Sequence, residues 1–422
     1  VRAVECAITL ATSGKWPDDL EAIARLTTAL YLRLAAVLNE TAGSVVHAKA
    51  AQDHCLVLCH GFAFRLRVWN EKEAKLMRAL GLKKDATALE QNLFARPQHA
   101  SSIMALAHKF PSLQETVRLC KRWVHAHLLS RILLDEAIEL LVAHCYTSPL
   151  PFSPPVTPLA GLTRFLRLLC TFDWESSALV VDLTFDSNPI TDELYRQCQE
   201  LADAARTPGS TKSGGSTGIS PPLCLCTHTD KAGTTWTRDT PAGPPWKRGL
   251  ALARRALALL EAGSPLAAEK KVRAVMKRQL SDFDALIWLH SGPELPRACP
   301  TLAATDFKNM LQQNRAALLV GLCPVRDFVS ELRRRFGRYA LFWADELKGD
   351  CVAVLWKPAE AREHTLSVQR AGGTFPLALA GAEGASRGAV IPDVVSMLRG
   401  FREAGGGLVR EVEVLGGARV AA

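Results

Sequence analysis

Residues 113–145 constrain this chain more than any other stretch. Leu113, Val117, Cys120, Val124 and Leu128 recur at helical spacing, and Leu134, Ile138, Leu141 and Cys145 repeat the pattern at once. Two consecutive stripes of that period cannot lie flat as strands, whose side chains alternate from face to face. They require two helices, each burying an apolar face against other elements. Trp123 falls beside the first stripe and is expected in the core or at a domain interface. Lys121 and Arg122 point away from it, towards solvent or towards RNA phosphate. Asp135 is expected to cap the second helix, with Glu136 beside it complementing the helix dipole.

The flanking sequence has a different texture. "VECAITLATSG" reads as a strand with Val4, Cys6, Ile8 and Leu10 on one face. Trp16-Pro17-Asp18 then opens a helix carrying Ile23, Leu26, Leu30, Leu34 and Leu38. "SVVHAKA", "CLVLCH" and "FAFRLRVW" follow as strands. In the last, Phe62, Phe64, Leu66 and Val68 share one face and Arg65 and Arg67 the other. From about residue 86 to 204 the pattern is helical, broken by the five prolines of "TSPLPFSPPVTP". "RTPGSTKSGGSTGISPP", residues 206–222, has the composition of a flexible insertion. "LCLCTHTDKAGTTWT" reads as a strand, a turn and a return strand, and "WKRGLALARRALALLEAG" as a helix stopped by Gly263. The last third holds the strand "DALIWLH", the helix "VRDFVSELRRRFG", and "YALFWADE" and "CVAVLWKP" as a hairpin through Asp345–Asp350. "IPDVVSMLRGFREAGGGLV" closes it as a helix with a glycine stop.

At 422 residues, 48% of them hydrophobic, the chain is long enough for several domains with sizeable cores. It opens on Val1 rather than methionine and reads as a piece of a longer protein. No apolar run reaches the roughly 18 residues of a membrane span. A net charge of +9 leans towards polyanionic partners. The twelve cysteines show no paired framework and read as reduced thiols of the cytosol or nucleus. Neither cysteine cluster reads as a metal site. On a strand, "HCLVLCH" turns Cys55 and Cys59 one way and His54 and His60 the other, and Cys224, Cys226 and His228 lack a second ligand pair.

Catalytic signatures are equally sparse. P-loop, HExxH and GxSxG patterns are absent, and no cofactor is implied. Nucleotidyl transfer needs a Gly-[Gly/Ser] turn for the triphosphate and two carboxylates two apart on one strand for paired Mg²⁺ ions. Gly263-Ser264 followed by Asp282 and Asp284 is the one candidate. Its turn follows a helix rather than a strand, and the intervening stretch is itself helical, so a capped strand start explains the two acids. Arg333, Arg334, Arg335 and Arg338 sit at a helix C-terminus, where cations are favoured whether or not they meet phosphate.

Several dispersed motifs, in order, resemble one family. They include "SGKWPDDLEAI", "HGFAFRLRVW", "RLCKRWVHAHLL", "FLRLLCTFDW", "THTDKAGTTWT", "FDALIWL", "VGLCPVRDFVSELRRRFGRYALFW", "VAVLWKP" and "GGGLVREVEV". Together they resemble the C-terminal half of the Nrap (nucleolar RNA-associated protein, or nucleolar protein 6) family. The resemblance implies an α+β multidomain fold in three parts. Residues 1–85 would be the C-terminal part of a nucleotidyltransferase-like α/β domain. Residues 86–262 would form a helical domain like that of poly(A) polymerases and oligoadenylate synthetases, and 263–422 a mixed α/β terminal domain. It further implies a non-catalytic subunit of the nucleolar small-subunit processome, contacting pre-ribosomal RNA and protein neighbours. Lys121, Arg122, Arg333, Arg334, Arg335 and Arg338 are the RNA-contact candidates. An active RNA nucleotidyltransferase and a protein-only interaction module are the alternatives. The chain departs from the family pattern at Cys323-Pro324, where an aspartate is expected before the proline, and in "LFWADELKGD".

Overall fold

A computed structural model describes residues 3–10, 16–41, 46–184, 191–206, 223–237, 240, 243–262, 268–290, 323–345, 349–357, 364–365, 374–376 and 389–415. Most of the Gly/Ser-rich stretch and the Gly263-Ser264 turn lie outside these residues. The chain divides into two compact units, one built on Val1–Lys109 and the other on Phe110–Leu302 and Pro324–Ala422.

The first unit is a four-stranded sheet with helices. Strands β1 (Ala3–Thr9), β2 (Val46–Ala50), β3 (Cys55–Cys59) and β4 (Phe62–Trp69) lie in the order β1-β4-β3-β2. Only the β1–β4 pair is parallel. Helix α1 (Leu20–Thr41) covers one face, where Tyr31 and Ala35 pack on Cys55, Val57 and Val68. The Val68 backbone N–H donates to the Tyr31 hydroxyl at 2.8 Å, fixing the helix over the strand. Asp19, not the Trp-Pro pair, starts α1: its carboxylate accepts from the Ala22 backbone N–H at 2.8 Å. The alternation in β4 holds for Phe64, Leu66 and Val68, while Phe62 at the strand end is exposed. Arg65 lies opposite Glu5 in the register and pairs with it at 2.7 Å. In β1 only Ile8 joins this core, whereas Val4 and Leu10 are exposed. Ala7 and Trp69 pack instead against Ala74, Leu89 and Leu93, from helices α2 (Glu71–Ala79) and α3 (Lys83–Glu90) and the turn that joins α3 to α4 (Arg96–Lys109).

The second unit begins with the helical pair read from sequence. Helices α5 (Leu113–Ala126), α6 (Asp135–Thr147) and α7 (Pro158–Thr171) pack on one another. Trp123 is fully buried against Phe165 and His127. Helix α6 goes beyond one stripe: Ala137, Ile138, Leu140, Leu141, Val142 and Ala143 have no exposure at all, so it runs through the middle of the core. Helices α5 and α7 approach so closely that a Cβ on Gly161 would lie 2.4 Å from the Thr116 methyl group. Thr116 and Ser112 each lie 2.8 Å from the buried Tyr146 hydroxyl. The expected return strand after "LCLC" does not form. Strands β5 (Leu179–Val180) and β6 (Leu225–Cys226) make a short parallel pair beside helix α8 (Asp192–Arg206). Asp230 then holds the following turn, accepting from the Thr235 backbone N–H at 2.8 Å.

Helices α9 (Pro244–Glu261) and α10 (Ala268–Val275) lead into the terminal sheet. Strands β7 (Ala285–Leu289), β8 (Ala340–Ala344), β9 (Cys351–Trp356) and β13 (Val409–Val414) run antiparallel in the order β13-β7-β9-β8, with β8 and β9 as the expected hairpin. Helices α11 (Pro324–Phe336) and α12 (Val394–Gly405) cover one face, packing on Ile287, Phe342, Val352 and Val354. Three further short strands, β10 (His364–Thr365), β11 (Thr374–Pro376) and β12 (Ala389–Pro392), form a separate small sheet. Among the described residues no helix is long and apolar enough to cross a membrane.

Candidate functional site: a buried ionic junction

The face of the terminal sheet opposite α11 and α12, which includes the buried Trp343 and Cys351, meets residues at the ends of α5, α9 and α10. The end of α5 supplies His125 and His127 to this junction, α9 supplies Arg248, and the turn after α10 supplies Arg278. His125, in the last turn of α5, sits between two carboxylates. Its Nε2 is 3.1 Å from Asp135 at the start of α6, and its Nδ1 is 3.7 Å from the buried Asp345 at the end of β8. Burial alone would lower its pKa. The hydrogen bond and charge of Asp135, with the charge of Asp345, outweigh burial and raise it from 6.5 to about 9. The same contact with His125 holds the Asp135 carboxyl below its usual value.

Arg278, just beyond α10, completes the other side. Its guanidinium donates to Asp350 at 2.7 Å, lies 3.6 Å from Asp345, and donates through Nε to the Ala126 carbonyl at 3.2 Å. It therefore ties the end of α5 to both ends of the β8–β9 turn. Arg248 of α9 donates to the His127 and Gln279 carbonyls and lies over the Phe283 and Trp343 rings, 4.6 and 5.1 Å from their centres. His127 Nε2 is 2.9 Å from the Val275 carbonyl, with donation as the only available sense. These groups hold the helical core and the terminal sheet together as one polar lock.

The sequence-derived candidates fall into two places. Lys121 does not point to solvent: it lies 3.6 Å from Asp135 and donates to Glu139 at 2.5 Å. Asp135 accordingly does not cap α6; Leu134 is the cap residue, with no side-chain cap bond. The ammonium and imidazolium compete for that carboxylate and win it. Arg122 is exposed on α5. On α11, Arg333 donates to the Phe342 carbonyl at 3.1 Å, while Arg334 and Arg335 both bind Glu331 and hold its carboxyl down to about 2. Arg338 is half-buried in the turn before β8. His125, Arg248, Arg278 and Asp345 carry no motif that marks them in the sequence. The only signal was polar residues, the "HAH" at 125–127, at the end of an otherwise apolar stripe.

Asp282 and Asp284 are placed differently in the structure. Asp284 accepts from the Trp356 backbone N–H at 2.8 Å, as a strand-edge cap, while Asp282 faces solvent before β7. Between them Phe283 is buried beneath Arg248. Among the described residues no group of three His, Cys, Asp or Glu side chains is placed to hold a metal. Cys55 and Cys59 lie along β3, and His54 pairs with Asp53 at 2.7 Å.

The raised His125 pKa sets a pH dependence. A group whose folded pKa lies above its unfolded value stabilises the fold fully below the unfolded value, and that contribution is lost as pH rises through the folded one. The second unit is therefore expected to lose on the order of 2 kcal/mol as pH rises from about 6.5 to about 9. Urea midpoints against pH read this directly. His125→Gln flattens the slope over that window, and an unchanged slope in the variant contradicts the assignment.

The fold and this junction define a multidomain α+β protein whose buried charges are matched to one another. The chain belongs to the Nrap family. Three of its domain models match in sequence: Nrap protein nucleotidyltransferase domain 4 over residues 1–108, PAP/OAS1-like domain 5 over 110–278 and domain 6 over 280–412. Nucleolar protein 6 of Homo sapiens is 31% identical over 417 residues, covering 95% of this chain and 34% of its own length. The Xenopus tropicalis protein is 29% identical over 420 residues, 95% of this chain and 35% of its own. The chain thus spans about a third of the length of these curated relatives. Nucleolar location, expected from sequence, goes with that membership. Among solved structures, terminal uridylyl transferase 4 from Trypanosoma brucei is 14% identical with a TM-score of 0.32, over 64% of this chain and 80% of that one. The Cid1 poly(U) polymerase is 13% identical with a TM-score of 0.33, over 64% of this chain and 79% of that one. At those scores the likeness says nothing about chemistry.

Proposed function

We propose that this chain is a non-catalytic structural part of a nucleolar ribosome-biogenesis protein. In this reading it works within the small-subunit processome, where it contacts pre-ribosomal RNA backbone and protein neighbours. On the same reading, residues 1–85 are the C-terminal part of a nucleotidyltransferase-like domain, 86–262 a helical domain and 263–422 a mixed α/β terminal domain. The observation that carries the reading is the use made of carboxylates. Asp135, Asp345 and Asp350 are committed to His125, Lys121 and Arg278, and Asp284 to a backbone N–H. A two-metal reaction needs carboxylates open to the ions. Here Asp135 and Asp284 fix neighbouring elements, and Asp345 and Asp350 tie the helical core to the terminal sheet.

The test is primer extension. The full-length protein is incubated with Mg²⁺ or Mn²⁺, each nucleoside triphosphate and RNA primers. The expected result is no extension above the protein-free control. Extension that disappears in Asp282→Asn/Asp284→Asn overturns the reading within this chain. Extension that survives the double substitution overturns it for the protein as a whole.

A further inference from the structure

Residues 244–278 carry nine lysines and arginines against two acids, a net +7 in a chain whose total is +9. The formal charge is therefore not spread evenly: Arg248 and Arg278 turn into the junction, and the other seven cations remain on α9, α10 and the turn after them. We infer that the outer faces of α9 and α10 form the principal phosphate-binding surface of this chain, engaging the sugar-phosphate backbone of RNA. The inference rests on the RNA-contact reading above and moves that contact away from α5 and α11.

The side chains divide by face. On α9, Leu252, Ala253 and Ala256 are buried, while Lys247, Arg254 and Arg255 are exposed together with Ala251 and Ala258. On α10 and its extension, Val275 is buried, and Lys270, Arg273 and Lys277 are exposed with Ala274 among them. Residues three, four and seven apart share a helix face. Each helix thus presents a basic row about 10 Å long. The alanines between the cations leave room for a backbone to approach. The two helices are bound to one another. Lys271 Nζ donates to the Leu260 carbonyl at 3.2 Å, and Arg255 donates to the Gln279 side chain at 2.6 Å, two residues beyond Lys277.

On the other two basic clusters fewer cations are left open: Lys121 of α5 is bound by Asp135 and Glu139, leaving Arg122 exposed, and Arg334 and Arg335 of α11 share the one carboxylate of Glu331. On α9 and α10 the two acids are already engaged: Glu261 with Arg167 and Glu269 with Arg273, each at 2.7 Å. Among the described residues Lys247, Arg254, Lys270 and Lys277 make no ion pair. Cations held on rigid helices with no internal counter-charge are what phosphate contacts draw on. Such contacts give affinity without sequence choice and a steep dependence on salt.

The test measures binding of the full-length protein to a labelled single-stranded RNA of mixed sequence by fluorescence anisotropy, across a salt series. Replacing Lys247, Arg254, Lys270 and Lys277 together with glutamine is expected to reduce the slope of log affinity against log salt by about 3, from roughly 0.7 per phosphate contact. The loss should be uniform across RNA sequences. All four are exposed, and circular dichroism confirms the fold. Ala251→Lys/Ala274→Lys, on the same faces, is expected to steepen the slope by about 1. If the protein binds RNA and neither variant changes the slope, this surface is wrong while the RNA reading stands. If the unmodified protein binds no RNA, the RNA reading itself fails and takes this surface with it. Poly-glutamate capture that needs the four cations, with RNA binding unchanged, assigns the surface to an acidic protein and overturns the inference.

Discussion

Arg278→Ala is expected to lower the unfolding free energy of the second unit by about 3–5 kcal/mol. The loss exceeds that of an ordinary ion pair because of what remains behind. Asp345 is 4% exposed and Asp350 partly buried, and both keep their charge after the arginine is gone. The Ala126 carbonyl loses its donor as well. Asp345 keeps His125 but loses its guanidinium neighbour, and stripping a buried carboxylate of such a neighbour costs far more than the pair contributed. Arg278→Lys should recover less than half of the loss. An ammonium cannot reach two carboxylates and a backbone carbonyl with the fixed fork of a guanidinium. Arg273→Ala provides the contrast: its partner Glu269 is exposed and one turn away, so the change should stay within about 0.5 kcal/mol. Urea unfolding followed by tryptophan fluorescence separates the three. Equal midpoints for Arg278→Ala and Arg273→Ala would show that the junction bears no load.

Trp123→Ala is expected to cost a similar 3–5 kcal/mol for a different reason. The indole is fully buried, edge-on to Phe165 at 6.3 Å and tilted against His127 at 5.2 Å. Its removal leaves a cavity between α5 and α7, where the Gly161–Thr116 contact already limits inward collapse. The Trp123 Nε1–H has no hydrogen-bond partner among the described residues. Trp123→Phe therefore removes an unsatisfied donor as well as some volume, and should cost clearly less than the alanine change. The same unfolding assay reads both. If phenylalanine proves as damaging as alanine, Trp123 acts through a polar contact rather than by filling space.

Much of the local structure was legible in the amino-acid order. The stripe Leu113–Leu128 is buried at every position, and the alternation in "YALFWA" and "CVAVLW" separates the two faces of the terminal sheet. Both follow from period alone. A polar residue with two possible partners is not legible in the same way. At the start of α6, Asp135 looks like a cap, because an acid before an apolar helical run ordinarily is one. Its actual partners, His125 and Lys121, come from the preceding helix. Lys121 looked solvated for the same reason: a basic residue off the apolar stripe gives no sign of a carboxylate waiting across the helix pair. The short pairing at "LCLC" misled in the opposite sense, since its true partner lies more than forty residues earlier, at Leu179–Val180.

The order of residues by itself determined where most helices and strands lie, the buried stripe of α5, and which family the motifs resemble. Those properties depend on neighbours within a few residues. On α1 it missed the buried face, since Leu26 and Leu30 are exposed while Thr27, Tyr31 and Ala35 are buried. The tertiary structure decided which charges are neutralised and which remain open. A lysine on α5, an arginine after α10 and an aspartate at the end of β8 reveal their roles only when packing brings residues as far apart as 125 and 345 within ion-pair distance. Electrostatic energy depends on separation in space and on loss of water, and neither is written in sequence spacing.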